Sequence, residues 1–370
     1  MRWLRATAWT ALGAAATWLL VGRGLVNYDT VYSLVWGRQV ADGQSPDLTV
    51  PLAPTPHPLS TLAGVIASPL SNAADGFVHG VAATDATLVV AFLALGALGY
   101  VVYALGAAWF NPWAGLLAAV IILTRRPVLD FGARAYVDIP YVVLVLGALL
   151  WETRRRRAGI PVLVLLGVAG LLRPEAWLLS GAYVLYLVGG GERSPGRVAA
   201  LVAVAATAPV LWLLSDWALA GDPLHSLTGT RDTAQRLDRI TGLANVPGTV
   251  PRRIGEILRE PVLLGGVVGL VCGWLWLRDR VRLAVAAGVL ALAAFCVLAA
   301  ASLPILGRYL LLPAAIGAIL CGGGAFGWLG IGPEQVQGAR HRRIWMWLGV
   351  LVLVVQIPFI PASAHRIDAL

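Results

Sequence analysis

The sequence contains no lysine and few charged residues of any kind, and these absences exclude a water-soluble protein. Only 13% of the 370 residues are charged, whereas a typical soluble chain has about 25%, and 58% are hydrophobic. The mean hydropathy is +0.77. All 28 basic residues are arginine. This arginine bias, with abundant alanine, glycine and valine, is typical of a GC-rich bacterial genome.

Cysteines are also scarce, and the common nucleotide-binding, zinc-binding and hydrolase motifs are absent. The only cysteines are Cys272, Cys296 and Cys321, and all three lie in apolar stretches, so the chain offers neither a disulfide framework nor a cysteine metal site. No Walker loop, glycine-rich dinucleotide turn, H-E-x-x-H pair or G-x-S-x-G elbow is present. The sequence therefore argues against nucleotide-driven chemistry.

Long hydrophobic runs dominate what is present. A bilayer core of about 30 Å needs about 20 apolar helical residues. The chain offers eleven candidate spans, at 6–26, 82–105, 113–124, 137–152, 159–172, 175–190, 198–218, 262–277, 282–303, 309–329 and 344–361. We predict an all-α fold, a polytopic transmembrane helical bundle of about 11 spans that forms a single domain over residues 1–370.

The placement of arginine fixes the predicted topology. As one helix, residues 160–190 would be about 46 Å long, and the motif Arg173-Pro174-Glu175 interrupts them. A break at Pro174 puts the arginine clusters at 154–157, 193–197, 278–282 and 340–343 in short loops on one side, where the positive-inside rule expects the cytoplasm. We therefore predict a cytoplasmic amino terminus and an outer carboxyl terminus.

This topology places 15 of the 19 acidic residues on the outer side, together with 14 of the 28 arginines. The outer side also holds two long loops, a first outer loop at 27–81 and a second at 219–261. We expect any chemistry on this extracytoplasmic face of the cell membrane. Because acids offset the outer arginines, the net charge of +9 does not indicate a nucleic-acid partner.

The first outer loop opens with a carboxylate at the membrane surface. Asp29 follows the first span, and the spacing of Val31, Leu34 and Val35 with Trp36 suits an interfacial helix. A carboxylate at that depth is costly and is a functional candidate, with helix capping as the alternative. Farther on, His57 lies in a run with Pro51, Pro54, Pro56 and Pro58, where a structural hydrogen bond competes with a direct role.

Four further outer turns contain candidate residues. The turn at 125–140 holds Arg126, Arg134 and Asp138, and the Arg173-Pro174-Glu175 apex joins two short spans. The loop 219–261 contains Gly221-Asp222-Pro223-Leu224, and the last turn contains Gly307-Arg308-Tyr309. Arginines at the membrane surface suit a lipid phosphate. Snorkelling and mutual salt bridges are the alternatives for these arginines.

These motifs, in this order and on one side, resemble the integral-membrane glycosyltransferases of the GT-C superfamily, particularly the protein O-mannosyltransferase and aminoarabinose-transferase-like group. The resemblance covers most of the chain. It implies transfer of a hexose or pentose from a polyprenyl-phosphate donor to a lipid, glycan or protein acceptor on the outer face, with inversion. No cofactor is required by the resemblance, although a divalent metal is compatible with it.

The resemblance also assigns roles to residues. Asp29 would be the general base, and Asp138 would orient the sugar or acceptor or help to hold a metal. Arg308, then Arg134 and Arg126, would bind the donor phosphate. The remaining substrate-positioning candidates are His57, Arg173, Glu175 and Tyr309. Many relatives have a second acid directly after the first, whereas this chain has Asp29-Thr30, which leaves metal dependence open.

Two other classes of function fit a polytopic membrane protein. A lipid or lipid-linked sugar transporter, or flippase, would also carry charges within the membrane. No internal repeat of the transporter kind is evident, and the acids concentrate at the surface instead of the midplane. A non-catalytic subunit that docks partners through its outer loops is the third possibility.

Overall fold

The computed structural model describes residues 2–50, 52, 55–73, 81–331 and 338–367. The structure is 83% helical, and no strand occurs in these ranges, which confirms the predicted all-α class. Pro51 and Pro54 of the proline-rich run lie outside the described residues. Three of the acidic residues that were assigned to the predicted outer or cytoplasmic side also lie outside the described residues. They are Asp75, Glu334 and Asp368.

Seventeen α-helices are described in these parts of the chain. In order they are α1 (Arg2–Val21), α2 (Tyr28–Ala41), α3 (Pro58–Ala73), α4 (Val81–Trp109), α5 (Pro112–Leu123), α6 (Arg126–Ala133), α7 (Asp138–Arg154), α8 (Ile160–Gly170), α9 (Glu175–Gly189), α10 (Pro195–Ala220), α11 (His225–Arg236), α12 (Val246–Leu258), α13 (Glu260–Trp276), α14 (Arg278–Ala300), α15 (Leu311–Phe326), α16 (Gly338–Gln356) and α17 (Ile360–Ile367). Short 3-10 helices lie at Leu243–Asn245, Gly307–Leu310, Gly327–Gly330 and Ile357–Phe359.

Five helical segments among the described residues are long and apolar enough to cross a membrane. The number rises to seven if two bent pairs, α6 with α7 at 111° and α12 with α13 at 104°, each count as one span. Four shorter apolar helices lie at Pro58–Ser71, Pro112–Leu123, Ile160–Gly170 and Glu175–Gly189. The membrane bundle is thus confirmed, while the count of eleven and the orientation stay predictions.

Local sequence signals explain several of the boundaries. The side chain of Asn27 caps α2, and that of Asn111 caps α5, where Pro112 occupies the first helical position. Gly221 ends α10 in the left-handed conformation. The predicted break between α8 and α9 is present, because α8 ends at Gly170 and α9 begins at Glu175.

The second outer loop is largely helical. The polar helix α11 and the amphipathic helix α12 occupy most of residues 219–261. The sequence predicts a loop there, because residues 219–261 contain no long apolar run. The first outer loop contains two helices: α2 coincides with the predicted interfacial helix, and α3 begins at Pro58, at the end of the proline-rich run.

Predicted cytoplasmic loops meet at one end of the bundle. Arg156 donates a hydrogen bond to the carbonyl of Asp279 at 2.8 Å, and Arg157 donates one to the carbonyl of Gly190. Three loops with clustered arginines are therefore neighbours, as a shared side requires.

Helix α15 forms the centre of the bundle, and glycine allows α13 to approach it closely. In the most apolar stretch of the segment Gly307–Gly330, 78% of the residues are buried inside the protein. In the corresponding stretch of α10, 17% are buried. A Cβ atom on Gly269 of α13 would lie 1.8 Å from the carbonyl oxygen of Leu320, and one on Gly324 would lie 2.3 Å from that of Gly265. Small residues at such crossings let helix backbones pack without lipid between them.

We expect Gly269→Ala to destabilise the protein by about 1–3 kcal/mol, because the added methyl group forces α13 and α15 apart. Gly167→Ala in α8 is the matched control, since a Cβ atom there meets nothing within 4 Å. Thermal unfolding of both variants in detergent measures the difference. Equal unfolding midpoints would show that the α13–α15 crossing is not tight.

Candidate active site

The segment that precedes α2 is anchored to the turn between α6 and α7. Asn27 donates its backbone N–H to the carbonyl of Arg134 at 3.0 Å, and Thr30 donates its hydroxyl to the carbonyl of Ala135 at 2.8 Å. The Asn27 side chain also accepts a hydrogen bond from the backbone of Thr30. These bonds fix the first turn of α2, and with it Asp29, beside the start of α7.

Five charged side chains of alternating sign form a continuous chain at this position, which we call the ion chain. Asp29 Oδ2 lies 3.4 Å from Arg308 Nη1, and Arg308 Nε lies 3.9 Å from Asp138 Oδ2. Arg173 donates to the other oxygen of Asp138 and, at 2.5 Å, to Glu175 Oε1. The members come from α2, the 3-10 helix at 307–310, α7, the α8–α9 apex and α9. The structure therefore brings five of the predicted site residues together.

The two aspartates of the ion chain differ in accessibility. The side chain of Asp138 is 2% exposed and is held by Arg173, whereas that of Asp29 is 35% exposed and contacts Arg308 only at 3.4 Å. A fixed, buried carboxylate is suited to orienting a neighbour. An accessible carboxylate at the open end of the ion chain is suited to accepting a proton from a substrate.

Two atoms inside the ion chain lack hydrogen-bond partners among the described residues. They are Asp138 Oδ2 and Arg308 Nε, both of which are buried. Buried polar atoms are usually hydrogen-bonded in native proteins. The Arg308 guanidinium therefore keeps a donor for a polar group that enters between these two side chains.

Tyrosines pack against both arginines of the ion chain. The Arg173 guanidinium lies 3.9 Å from the ring centroid of Tyr309 and 5.7 Å from that of Tyr141, while Arg308 lies 5.0 Å from that of Tyr136. Such contacts stabilise a desolvated cation. Tyr309 was a candidate from the sequence, but Tyr136 and Tyr141 were not. Their closeness in sequence to Asp138 is the signal that could have identified them.

His57 lies next to the ion chain but is not a member of it. Its ring packs edge-on against Trp212, with 5.5 Å between the centroids, and its Nδ1 atom is buried without a hydrogen-bond partner. Desolvation, and next the positive charge of Arg173, lower the pKa of His57 to about 3, although Asp138 acts in the opposite direction. His57 is therefore neutral at physiological pH and is a weak proton acceptor.

The other two predicted arginines lie elsewhere. Arg134 forms an ion pair with Asp130 at 2.9 Å, and its side chain is 58% exposed. Arg126 lines a separate cleft with Arg259 and Arg366. Of the three arginines predicted to bind the donor phosphate, Arg308 is the one that contacts both aspartates.

The described residues contain no group of three or more histidine, cysteine, aspartate or glutamate side chains that could hold a metal ion. Asp29 and Asp138 are the nearest approach to such a group, but the Arg308 guanidinium lies between them. Because a cation there would meet the positive charge of Arg308, this donor set does not fit a divalent metal.

We expect Arg173→Met to destabilise the protein by about 3–5 kcal/mol, because it leaves two buried carboxylates without their counter-ion. Arg134→Met removes an exposed pair and should cost less than about 1 kcal/mol. Denaturant unfolding in detergent measures both. A loss in Arg173→Met no larger than in Arg134→Met would contradict the view that the ion chain is desolvated.

Comparison with known proteins supports the fold. No protein-family model matches the sequence, and no curated protein is similar enough to match. Among solved structures, the crystal structure of ArnT from Cupriavidus metallidurans in the apo state is similar over 98% of this chain and 74% of that one, with a TM-score of 0.52 and 17% identity. ArnT is an aminoarabinose transferase of the GT-C family. An identity of 17% establishes the fold alone, and the chain therefore has the ArnT-like fold that the resemblance implied.

Proposed function

We propose that this protein is a membrane glycosyltransferase of the GT-C type that moves a sugar from a polyprenyl-phosphate donor to an acceptor hydroxyl on the extracytoplasmic face. The observation that carries the proposal is the contact between Asp29 and Arg308, which are 279 residues apart in sequence and 3.4 Å apart in an ArnT-like fold. An accessible carboxylate thus lies beside an arginine whose side chain is 20% exposed.

Asp29 is the general base in this mechanism. The acceptor hydroxyl oxygen attacks the anomeric carbon of the sugar, and its proton moves to the Asp29 carboxylate. The base must lie within hydrogen-bond reach of that hydroxyl, and Asp29 is the more exposed of the two aspartates. Asp138 is less suited, because it is buried and held by Arg173. Attack opposite to the leaving group inverts the anomeric centre.

Arg308 stabilises the leaving group. The bond between the anomeric carbon and the phosphate oxygen breaks, and the electron pair stays on the polyprenyl phosphate. Negative charge develops on that oxygen, and a preorganised cation lowers the barrier to its departure. Arg308 Nε is buried towards Asp138, whereas Nη1 lies at the accessible end of the ion chain beside Asp29. The Nη end of the guanidinium is therefore the one that donates to a phosphate oxygen.

The inner half of the ion chain keeps this arginine in place. Asp138 lies between Arg308 and Arg173, and Glu175 binds the other side of Arg173. The ring of Tyr309 covers Arg173, and Tyr136 packs against Arg308. The buried residues are therefore positioning residues for Arg308, and Asp29 and Arg308 are the two members of the ion chain that touch the reacting groups.

Asp29→Asn should leave the protein folded but lower sugar transfer from a polyprenyl-phosphate donor by about 100-fold or more, since the amide cannot accept the proton. Asp42→Asn is the matched control, because Asp42 lies at the other end of α2 and pairs with Arg38 at 3.7 Å. Transfer of labelled sugar in proteoliposomes is the measurement. Normal turnover in Asp29→Asn would disprove the role of the base.

The same proteoliposomes distinguish the transporter alternative. A flippase would move labelled lipid between leaflets without forming a glycosylated product. Lipid movement without transfer, unaffected by Asp29→Asn, would contradict the transferase proposal.

His57→Gln tests the competing proton acceptor. We expect this variant to lower the rate by less than about tenfold and to leave the acid limb of the rate profile between pH 5 and 8 unchanged. The reason is that a pKa of about 3 keeps His57 neutral throughout that range. A shift of the acid limb in His57→Gln would show that this imidazole titrates during the reaction.

A further inference from the structure

Four buried side-chain nitrogen and oxygen atoms lack hydrogen-bond partners among the described residues, and they fall into two groups. Asp138 Oδ2 and Arg308 Nε belong to the ion chain. The other two atoms are His57 Nδ1 and Thr61 Oγ1, at the start of α3. The transfer steps described above use neither His57 nor Thr61. Buried polar atoms are usually hydrogen-bonded, so this second group requires an explanation of its own.

The start of α3 packs against the ion chain. Leu59 donates its backbone N–H to the carbonyl of Leu171 at 3.2 Å, two residues before Arg173. The His57 ring is close enough to the ion chain for the charges of both arginines and of the buried aspartate to act on it. Thr61 follows one helical turn later. The two groups of unpartnered atoms are therefore neighbours in the structure.

The hydroxyl of Thr61 differs from those of other helical threonines in this protein. A threonine hydroxyl inside a helix commonly bonds to the carbonyl four residues earlier. Four hydroxyls do so at 2.8–3.0 Å, those of Thr17, Thr87, Thr153 and Thr207. The equivalent carbonyl for Thr61 belongs to His57, and it accepts the backbone N–H of Thr61 at 2.9 Å but not the hydroxyl. Thr61 is 6% exposed, so its hydroxyl is withheld from water as well.

The hydrogen bonding of His57 assigns a lone pair to Nδ1. The ring forms a hydrogen bond with the backbone of Leu172. That bond belongs to Nε2, because Nδ1 has no partner. A backbone carbonyl only accepts, so Nε2 carries the proton of the neutral ring and Nδ1 is left as an acceptor.

The four atoms together suit hydroxyl groups. His57 Nδ1 and Asp138 Oδ2 are acceptors and offer no donor to a phosphate, whereas Arg308 Nε is a donor. A hydroxyl group both donates and accepts, so one hydroxyl can bridge Asp138 Oδ2 and Arg308 Nε, which are 3.9 Å apart. The positive charge of Arg173 is the strongest electrostatic influence on His57, and it disfavours an ammonium group beside this ring. These properties favour an uncharged polyol.

We propose that His57 and Thr61 bind hydroxyl groups of the donor sugar, in a subsite that Asp138 and Arg308 complete. This inference rests on the proposed function and extends it, because it assigns a donor whose sugar is uncharged and rich in hydroxyls. The sugar supplies the hydrogen-bond partners that the four buried atoms lack. His57 and Thr61 then determine which sugar is accepted, while Asp29 remains the base.

The test compares the binding of lipids that differ only in the sugar. Native mass spectrometry of the full-length protein measures binding of bare polyprenyl phosphate and of polyprenyl phosphate that carries mannose, glucose or arabinose. We expect the wild type to bind at least one sugar-bearing lipid more tightly than the bare lipid. Thr61→Val should lower that preference about fivefold, as the loss of one hydrogen bond between neutral groups predicts. Thr61→Ser retains the hydroxyl and should retain the preference.

His57→Leu is the second variant, and it should lower the same preference without weakening the binding of bare polyprenyl phosphate. Thr17→Val is the matched control. Thr17 is also buried, at 1% exposed, but its hydroxyl is satisfied within α1. This control should keep the preference of the wild type.

Three outcomes would overturn the proposal. An equal loss of bare and sugar-bearing lipid in Thr61→Val would assign the hydroxyl to the phosphate. A wild-type preference that persists in both Thr61→Val and His57→Leu would leave buried water as the partner of these atoms, and the proposed transferase function would stand. A wild type that prefers none of the sugar-bearing lipids would instead contradict the donor of the proposed function, and the sugar subsite with it.

Discussion

The ion chain is the interaction on which the arrangement of this end of the molecule depends. A buried carboxylate or guanidinium is costly unless an opposite charge satisfies it. Asp138, Arg173 and Glu175 are each at least nine-tenths buried, so none of them is tolerable at this depth without the others. The ion pairs of Arg173 therefore hold the α8–α9 apex against α7. Arg308 contacts both Asp138 and Asp29, and so links α7 to α2.

The ion chain also explains why two aspartates of similar chemistry differ in accessibility. The inner aspartate, Asp138, lies between Arg173 and Arg308 and is 2% exposed. The outer one, Asp29, is held through the backbone of its own helix and keeps a third of its side chain accessible. The ion chain thus contains a fixed cation and an accessible carboxylate along one gradient of burial.

Local patterns were sufficient to single out the five members of the ion chain. Asp29, Asp138, Arg173, Glu175 and Arg308 each stand out because a charge beside a long apolar run is rare and costly. The patterns could not tell Arg308 from Arg126 and Arg134, since all three lie in outer turns with similar surroundings. The packing of α6 against α12 and α17 puts Arg126 in a cleft away from Arg308, and the sequence alone does not reveal that packing. Tyr136 and Tyr141 were overlooked because a tyrosine at a membrane interface has a common alternative explanation.

The sequence by itself determined that this protein folds in a membrane and that it is helical. Those properties follow from composition and from the length of apolar runs, which the bilayer fixes. The tertiary structure alone decided which charges pair, because contacts across 279 residues depend on how closely helices approach. That approach is set by glycines at helix crossings and by the mutual need of buried charges, and neither leaves a periodic signal in the chain.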